Sequence, residues 1–394
     1  MPTTPARIVL KRGREARLLG GHPWVYEGEI QAIEGSASPG EIVDLYDYRR
    51  AFLARGYFNP HSQIRVRVLS FEPEEIDQEL LRRRLQQAID RRLLHAIPSN
   101  AYRLLFSEAD LLPGLIIDYY GPFLVVQFLT LGMELLKDSI LSQLLDLLSP
   151  AGIYARNDLH VRELEGLPLG KELLWGEVPD RIRIREGDLS FWVDVKEGQK
   201  TGFFLDQREN RLALRERCDG RRALDCFCYT GAFSLQAAHF GAASTLGLDL
   251  SEEAISLAQE NARLNGLSER CQFRVGNAFD ELRALERKGE KFDLIILDPP
   301  AFTKSKEAIE PALRGYKEIN LRALKLLDPD GLLLSCSCSY HLSPQRFLRM
   351  LEEAAADAGR RVHLLEFRTQ APDHPILLGV PETCYLKCAI LRVV

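Results

Sequence analysis

The fold is decided by a stretch that opens with Ala223-Leu224-Asp225-Cys226-Phe227-Cys228-Tyr229-Thr230-Gly231. Two further apolar runs follow it, residues 244–248 and 292–297, and they are followed by Asp249 and Asp298. Helix-like segments lie between the runs, which predicts consecutive strands of a parallel sheet. Ligands on such sheets bind beyond the carboxyl ends of the strands, where these polar residues fall.

Length, charge and cysteine spacing limit the class of protein. The chain has 394 residues and a formal net charge of -5, so we expect two or three domains and only local basic patches for nucleic acid. Its 8 cysteines form no zinc-type cluster, so no metal is expected. Neither a signal peptide nor an apolar run of bilayer length is apparent, which predicts a cytoplasmic protein without a membrane partner.

Residues 1–72 predict a small β-rich domain. Residues 64–69 alternate apolar and basic side chains, the pattern of a half-buried strand. A basic cluster lies near Trp24 and Tyr26. Taken alone it favours a solvated face over a phosphate-binding patch with aromatic neighbours. The cluster consists of Lys11, Arg12, Arg14 and Arg17.

Residues 73–180 predict a small α+β domain without chemistry of its own. A helix is expected over 73–97, a strand pair over 114–118 and 123–128, and an amphipathic helix over 134–148. A hairpin over 181–195 then leads into the last domain, residues 181–394.

The loop Gly198-Gln199-Lys200-Thr201-Gly202-Phe203-Phe204-Leu205-Asp206-Gln207-Arg208 lacks the spacing of a phosphate-binding loop. We expect it to pack against a ligand on the sheet, with Phe203, Phe204 and Gln207 available for contact.

The turn after the first apolar run favours one kind of cofactor. It has a single glycine, Gly231, so a pyrophosphate-binding fingerprint is absent. Asp249 could accept hydrogen bonds from a ribose, and Asp225 suits a cationic ligand. S-adenosyl-L-methionine has a ribose and two cationic groups but no phosphate. A sheet that binds another ligand, or none, remains the alternative.

Asp298-Pro299-Pro300 follows the third run, and the two prolines fix the backbone there. This geometry could present Asp298 to a planar substrate. A stiff turn is the alternative, but the position of Asp298 at this strand end, in the same domain as the cofactor turn, favours an active site. Cys336 and Cys338 end another buried run, 331–338. If that strand neighbours the third run, a thiol beside Asp298 predicts methylation of a pyrimidine carbon through a cysteine adduct.

Several longer motifs carry a family resemblance over nearly the whole chain. They are His22-Pro23-Trp24-Val25, Gly202-Phe203-Phe204-Leu205-Asp206-Gln207-Arg208, Tyr229-Thr230-Gly231, Asp298-Pro299-Pro300, Arg314-Gly315-Tyr316-Lys317, Ser337-Cys338-Ser339, Asp373-His374-Pro375 and Tyr385-Leu386-Lys387. The chain resembles bacterial large-subunit ribosomal RNA cytosine-5 methyltransferases of the RlmI type. The resemblance implies an α/β fold, in which a Rossmann-like methyltransferase domain follows a PUA-like RNA-binding domain and a small α+β domain.

The resemblance also implies roles for individual residues. Cys338 would be the nucleophile and Asp298 would hold the cytosine edge. The residue after Pro300 is Ala301, where the family usually has a basic residue, so Lys304 and Lys306 are possible substitutes. The RNA-binding interpretation of the basic cluster becomes the favoured one. Cofactor contacts are predicted for Phe204, Gln207, Asp225, Tyr229, Thr230, Gly231, Asp249, Asn277, Asp298 and Pro299.

These observations predict an enzyme that uses S-adenosyl-L-methionine to make 5-methylcytosine in large-subunit ribosomal RNA. A methyltransferase for another RNA base or RNA class is one alternative, and a non-catalytic RNA-binding ribosome assembly factor is another. A nicotinamide dehydrogenase is disfavoured by the missing glycines. A homodimer is compatible with the sequence, which does not determine the oligomeric state.

Overall fold

The structure is a computed structural model that describes residues 5–302 and 308–394. The chain divides into two compact units. The first comprises Met1–Ile182, Val193–Leu205 and Pro372–Thr383, and the second comprises Arg183–Trp192, Asp206–Ala371 and Cys384–Val394. Both units are therefore assembled from segments that are distant in sequence.

The first unit begins with a six-stranded sheet of order β2-β6-β5-β4-β1-β3. Strands β1 and β4 are parallel, and the other neighbours are antiparallel. The elements are β1 (Ala6–Leu10), α1 (Ala16–Leu19), β2 (Trp24–Tyr26), β3 (Ile30–Glu34), β4 (Ile42–Tyr46), β5 (Phe52–Phe58) and β6 (Ile64–Ser70).

A second, five-stranded sheet of order β11-β10-β9-β8-β7 lies in the same unit. The predicted helix and strand pair are present here, and the Asp77 side chain caps the helix by accepting a 3.0 Å bond from Leu80 N. The elements are α2 (Gln78–Leu94), β7 (Ala101–Phe106), β8 (Leu115–Tyr120), β9 (Phe123–Phe128), α3 (Leu131–Leu135), α4 (Lys137–Leu148), β10 (Gly152–Asn157) and β11 (Gly170–Gly176).

Buried polar contacts join these two sheets within the first unit. Tyr57 on β5 donates its hydroxyl to Pro113 O at 2.8 Å. Arg67 on β6 forms a 2.7 Å ion pair with Glu165, and both side chains are buried. The half-buried strand expected for residues 64–69 is therefore wrong at Arg67. This position turns inward because a carboxylate 98 residues away compensates its charge.

The segment Pro372–Thr383 completes the first unit far from its other residues in sequence. The Asp373 carboxylate accepts a 2.9 Å bond from Arg103 N, and its carbonyl accepts a 2.9 Å bond from Arg92. Arg92 is itself paired with Asp110, and all these side chains are buried. Helix α2 and strand β7 are therefore held in part by a late segment of the chain.

The predicted hairpin follows as β12 (Ile182–Glu186) and β13 (Leu189–Val193). The second unit is built on a seven-stranded sheet of order β16-β15-β14-β17-β18-β20-β19. Its elements are α5 (Arg208–Leu212), β14 (Arg222–Cys226), α6 (Ala232–His239), β15 (Ser244–Asp249), α7 (Glu252–Leu264), β16 (Cys271–Val275), α8 (Ala278–Arg287), β17 (Phe292–Leu297), α9 (Ile309–Leu326), β18 (Leu327–Ser337), α10 (Pro344–Asp357), β19 (Val362–Arg368) and β20 (Lys387–Val393).

The three apolar runs form β14, β15 and β17, and all three are parallel. They are not consecutive strands, because β16 comes between β15 and β17 in the chain and occupies one edge of the sheet. Most of its side chains are at least partly exposed, so the apolar pattern does not reveal it. Strand β18 lies parallel to β17, with Leu297 opposite Ser335, which confirms the neighbourhood on which the Asp298–Cys338 hypothesis depended.

Candidate active site

Three carboxylates meet at the carboxyl edge of the parallel strands in the second unit. Asp225 lies near the end of β14 and Asp249 ends β15, while Asp298 follows β17. Asp225 is fully buried and the other two are half-buried. The concentration of acids at a ligand-binding edge favours a ligand with positive charge.

The turn from β14 to α6 has an unusual backbone. Phe227 and Tyr229 have φ angles of 67° and 47°, a region that side chains with a Cβ rarely occupy. Gly231 has φ 83°, and a Cβ there would lie 2.9 Å from the Phe273 ring. The glycine is therefore required by both conformation and space. The strained turn brings Tyr229 N to the Asp249 carboxylate at 2.9 Å.

Asp225 is held inside the sheet by Ser234. One carboxylate oxygen accepts bonds from Ser234 N at 3.0 Å and Ser234 Oγ at 2.7 Å. Burial, together with the negative charges of Asp298 and Asp249, raises the pKa of Asp225 to about 7. Its other oxygen and the buried Thr230 hydroxyl have no hydrogen-bond partner in the described part of the chain. These unsatisfied groups fit a polar, cationic ligand such as S-adenosylmethionine.

A pH-dependent stability follows from Asp225. Folding raises the pKa of this acid from about 4 to about 7. Its contribution to the unfolding free energy is therefore complete below about pH 4 and is lost as the pH rises from about 4 to about 7. Without ligand, we expect the unfolding free energy of the native protein to fall by on the order of 1–2 kcal/mol more between pH 5.5 and 8 than that of Asp225→Asn. Urea unfolding at both pH values measures this difference, and parallel curves would contradict it.

The side chains of Asp249 and Asn277 both accept hydrogen bonds from backbone N–H groups. Asp249 accepts bonds from Tyr229 N and, at 3.0 Å, from Ser251 N. Asn277 is exposed and caps α8, because its side-chain oxygen accepts a 2.9 Å bond from Phe279 N. Each oxygen has further lone pairs, so both side chains can still accept a bond from a ligand.

Asp298 is oriented by a relay of two amides. Gln207 donates its side-chain amide to the Asp298 carboxylate at 2.8 Å, and Asn210 donates to the Gln207 oxygen at 2.6 Å. Both amides are buried. No role was assigned to Asn210 from sequence. It lies three residues after Gln207, about one helical turn further along the chain. The relay gives Asp298 a defined orientation in an otherwise open strand end.

The thiols of Cys336, near the end of β18, and Cys338, just after β18, have different surroundings. Cys336 is fully buried opposite Cys388 of β20, and burial raises its pKa well above the ordinary thiol value. Cys338 is half-buried, and its Sγ lies 4.0 Å from Pro299 O. The structure therefore brings Cys338, rather than Cys336, to the accessible side of the Asp298-Pro299-Pro300 turn.

An aromatic group lines the same edge of the sheet. The Phe302 ring lies 4.5 Å from the Tyr316 ring, 5.8 Å from Phe279 and 6.4 Å from Phe227, measured between centroids. Phe302 and Phe279 are half-buried, so they offer an apolar surface beside the acids. Sequence reasoning assigned none of these rings to the site, because they come from four separate segments.

Comparison with known proteins identifies the family. Residues 8–71 match a PUA-like domain, and residues 158–392 match the S-adenosylmethionine-dependent methyltransferase family. Ribosomal RNA large subunit methyltransferase I of Tolumonas auensis is 44% identical over 393 residues, which are 98% of this chain and 99% of the relative. The chain belongs to this methyltransferase family. The protein of the same name from Escherichia coli is 42% identical over 392 residues, 98% of this chain and 99% of its own.

Solved structures share the fold of this methyltransferase. A candidate S-adenosylmethionine-dependent methyltransferase from Streptococcus mutans superposes with a TM-score of 0.85 at 23% identity, covering 98% of this chain and 100% of its own. A candidate methyltransferase complexed with SAH has a TM-score of 0.86 at 23% identity, with the same coverage. The expected fold class and the use of S-adenosylmethionine are therefore confirmed.

The remaining predicted residues of the methyltransferase lie elsewhere. Lys11, Arg12 and Arg14 are exposed, and Arg12 lies 5.6 Å from the Tyr48 ring. Arg17 is bound internally, to Trp24 O at 2.9 Å and Glu29 at 3.1 Å. Phe204 belongs to the first unit, where Lys200 Nζ lies 4.4 Å from its ring. Lys304 and Lys306 lie outside the described residues.

The described residues contain neither a membrane-spanning helix nor a cluster of metal-binding side chains. No helix in them is long and apolar enough to cross a bilayer. No group of three or more His, Cys, Asp or Glu side chains in residues 5–302 and 308–394 could hold a metal ion.

Proposed function

We propose that the enzyme methylates C5 of cytosine in large-subunit ribosomal RNA through a covalent adduct with Cys338. The half-buried Cys338 thiol beside Pro299, on the strand next to Asp298, carries this proposal. The names of the relatives, ribosomal RNA large subunit methyltransferase I, support the substrate class. The PUA-like match over residues 8–71 supports recognition of RNA by the N-terminal region.

Bound S-adenosylmethionine supplies the methyl group and leaves as S-adenosylhomocysteine. We assign its ribose to Asp249, its adenine edge to Asn277, and its cationic part to the acids near Asp225. The backbone of Tyr229, Thr230 and Gly231 would line the cofactor, and Gln207 and Pro299 complete the proposed contacts in the second unit. Phe204 remains a proposed contact on the sequence alone.

The chain's own residues perform the chemistry at the base. The Cys338 thiolate attacks C6, a C6–S bond forms, and the C5–C6 double-bond electrons make C5 nucleophilic. Asp298, oriented by Gln207, holds the N3 edge of the ring and stabilises the adduct. After methylation a base removes the C5 proton, the C5–C6 double bond re-forms, and the C6–S bond breaks to return the thiolate.

RNA contact is proposed for the exposed Lys11, Arg12 and Arg14, with Tyr48 as a stacking neighbour. Arg17 is a weaker candidate because its guanidinium already pairs with Glu29. Lys304 and Lys306 remain proposed contacts on the sequence alone. We also propose the three-domain division into residues 1–72, 73–180 and 181–394.

Methylation in vitro tests the proposal. The purified enzyme, labelled S-adenosylmethionine and unmodified large-subunit RNA are combined, and the product nucleosides are separated by liquid chromatography and mass spectrometry. We expect the label in 5-methylcytidine. Label in another nucleoside would favour a different base specificity, and cofactor binding without transfer would favour a non-catalytic assembly factor.

Asp249→Ala is expected to weaken S-adenosylmethionine binding by about 1–3 kcal/mol, because charge-assisted hydrogen bonds to the ribose are lost. Asp249→Asn is the matched control, since it keeps an acceptor for Tyr229 N and so separates loss of charge from loss of the turn. Calorimetric titration measures both variants. An unchanged affinity in Asp249→Ala would exclude the ribose assignment.

A further inference from the structure

Lys387 is a buried residue whose ammonium binds the backbone of the segment that carries the proposed nucleophile. It begins β20 opposite Ser337 of β18, and only 2% of the residue is exposed. Its ammonium donates to Ser339 O at 2.6 Å and to Tyr385 O at 2.7 Å. One of these carbonyls belongs to the residue immediately after Cys338, so Lys387 fixes the backbone on which the thiol is carried.

Among the described residues, no carboxylate compensates the charge of Lys387. No carboxylate in the described ranges, 5–302 and 308–394, forms an ion pair with its ammonium, and its two hydrogen-bond acceptors are neutral carbonyls. A buried ammonium without a counter-charge is costly. Burial accordingly lowers the pKa of Lys387 to about 8, and negative charge on Cys338 and Cys384 opposes this decrease. The thiols of Cys338 and Cys384 are therefore the groups whose negative charge would favour the protonated form of Lys387.

Other ionisable groups also surround the Cys338 segment. Tyr316 of α9 shares a 2.8 Å hydrogen bond with Ser339 Oγ and interacts with the charge of Cys338. Burial, Cys388 and the charge of Asp298, after β17, raise the pKa of Cys336. Lys387 is the cationic member of this set.

We infer that Lys387 is a positioning residue that holds the segment carrying Cys338 and stabilises its thiolate for attack on the base. The inference rests on the function proposed above. A cation close to a cysteine increases the fraction of thiolate at neutral pH, and the thiolate is the nucleophile. In this role Lys387 stays protonated, and no bond to it forms or breaks.

Alkylation of Cys338 tests the inference without RNA. The full-length enzyme is treated with iodoacetamide from pH 5.5 to 10, and peptide mass spectrometry follows the modification of Cys338, Cys336 and Cys384 separately. We expect the midpoint for Cys338 to rise by about one pH unit or more in Lys387→Met, with about tenfold slower modification at pH 7. Lys387→Arg should restore part of the shift, because it keeps the charge.

Arg392→Met is the matched control, since it removes a positive charge from the same strand at an exposed position. It should leave the Cys338 midpoint unchanged. Calorimetric binding of S-adenosylmethionine confirms that each variant is folded. An unchanged midpoint in folded Lys387→Met would overturn the inference, as would a shift confined to Cys384.

The native enzyme gives a second test if Lys387→Met does not fold. A Cys338 midpoint clearly below the free-cysteine value of about 8.5 supports the inference, and a midpoint at or above it contradicts it. Failure of the proposed function would give a different result. In that case Cys338 of the native enzyme would be alkylated readily at neutral pH, but the enzyme would form no adduct with RNA.

Discussion

Cys338→Ala is expected to lower methyl transfer to large-subunit RNA by about 10³-fold or more while leaving S-adenosylmethionine affinity nearly unchanged. The C5 carbon of cytosine is a weak nucleophile, and without the C6–S bond it gains no electron density. Incorporation of labelled methyl groups measures the loss, and calorimetric titration measures cofactor binding.

RNA containing 5-fluorocytosine sharpens this result, because the C5 fluorine cannot be removed as a proton and the adduct persists. Native enzyme should give a denaturation-resistant complex, and Cys338→Ala should give none. Cys336→Ala is the matched control, since its thiol is fully buried opposite Cys388. An active Cys338→Ala together with an inactive Cys336→Ala would move the nucleophile by two residues.

Asp298→Asn is expected to have the second largest effect, a decrease in kcat of about 10²–10³-fold. Asparagine can still accept the bond from Gln207, so the backbone and the relay should survive. What is lost is the carboxyl group that holds the N3 edge of the base and stabilises the adduct. Single-turnover transfer measures this step.

Asp293→Asn provides the control for Asp298. It makes the same substitution at the other end of β17, where the carboxylate accepts a 2.8 Å bond from Arg222 N. Its transfer rate should equal that of the native enzyme. If Asp298→Asn retains native kcat but loses cofactor affinity, the carboxylate serves the cofactor rather than the base.

Local pattern was sufficient to predict the centre of the sheet. Buried parallel strands require continuous apolar runs. Acids lie at or just after the carboxyl ends of these runs, namely Asp225, Asp249 and Asp298. Edge strand β16 was not predicted, because an exposed strand does not need a continuous apolar run. The burial of Arg67 was not predicted for a different reason. Its partner Glu165 is distant in sequence, so the local pattern does not indicate the ion pair.

Candidate site residues could be proposed from sequence where a motif supplies both residue and position. Cys338 and Asp298 depend on the pairing of β17 with β18, which sequence could only suppose. Lys387 was quoted within a motif but given no role, because its chemistry arises from tertiary burial and from two carbonyl acceptors. Ser234 was overlooked similarly, as serine early in a helix has many ordinary explanations.

The discontinuous first unit has a consequence for synthesis on the ribosome. Arg92 and Arg103 emerge early, yet the backbone and carboxylate of Asp373 that complete their hydrogen bonds are made some 270 residues later. The guanidinium groups themselves pair with Asp110 and Asp118, which are made early, so their charges can be neutralised before the contacts with Asp373 form. The first unit can therefore reach its final packing only after Pro372–Thr383 has been translated, by which point Asp206–Ala371 of the second unit has been made as well.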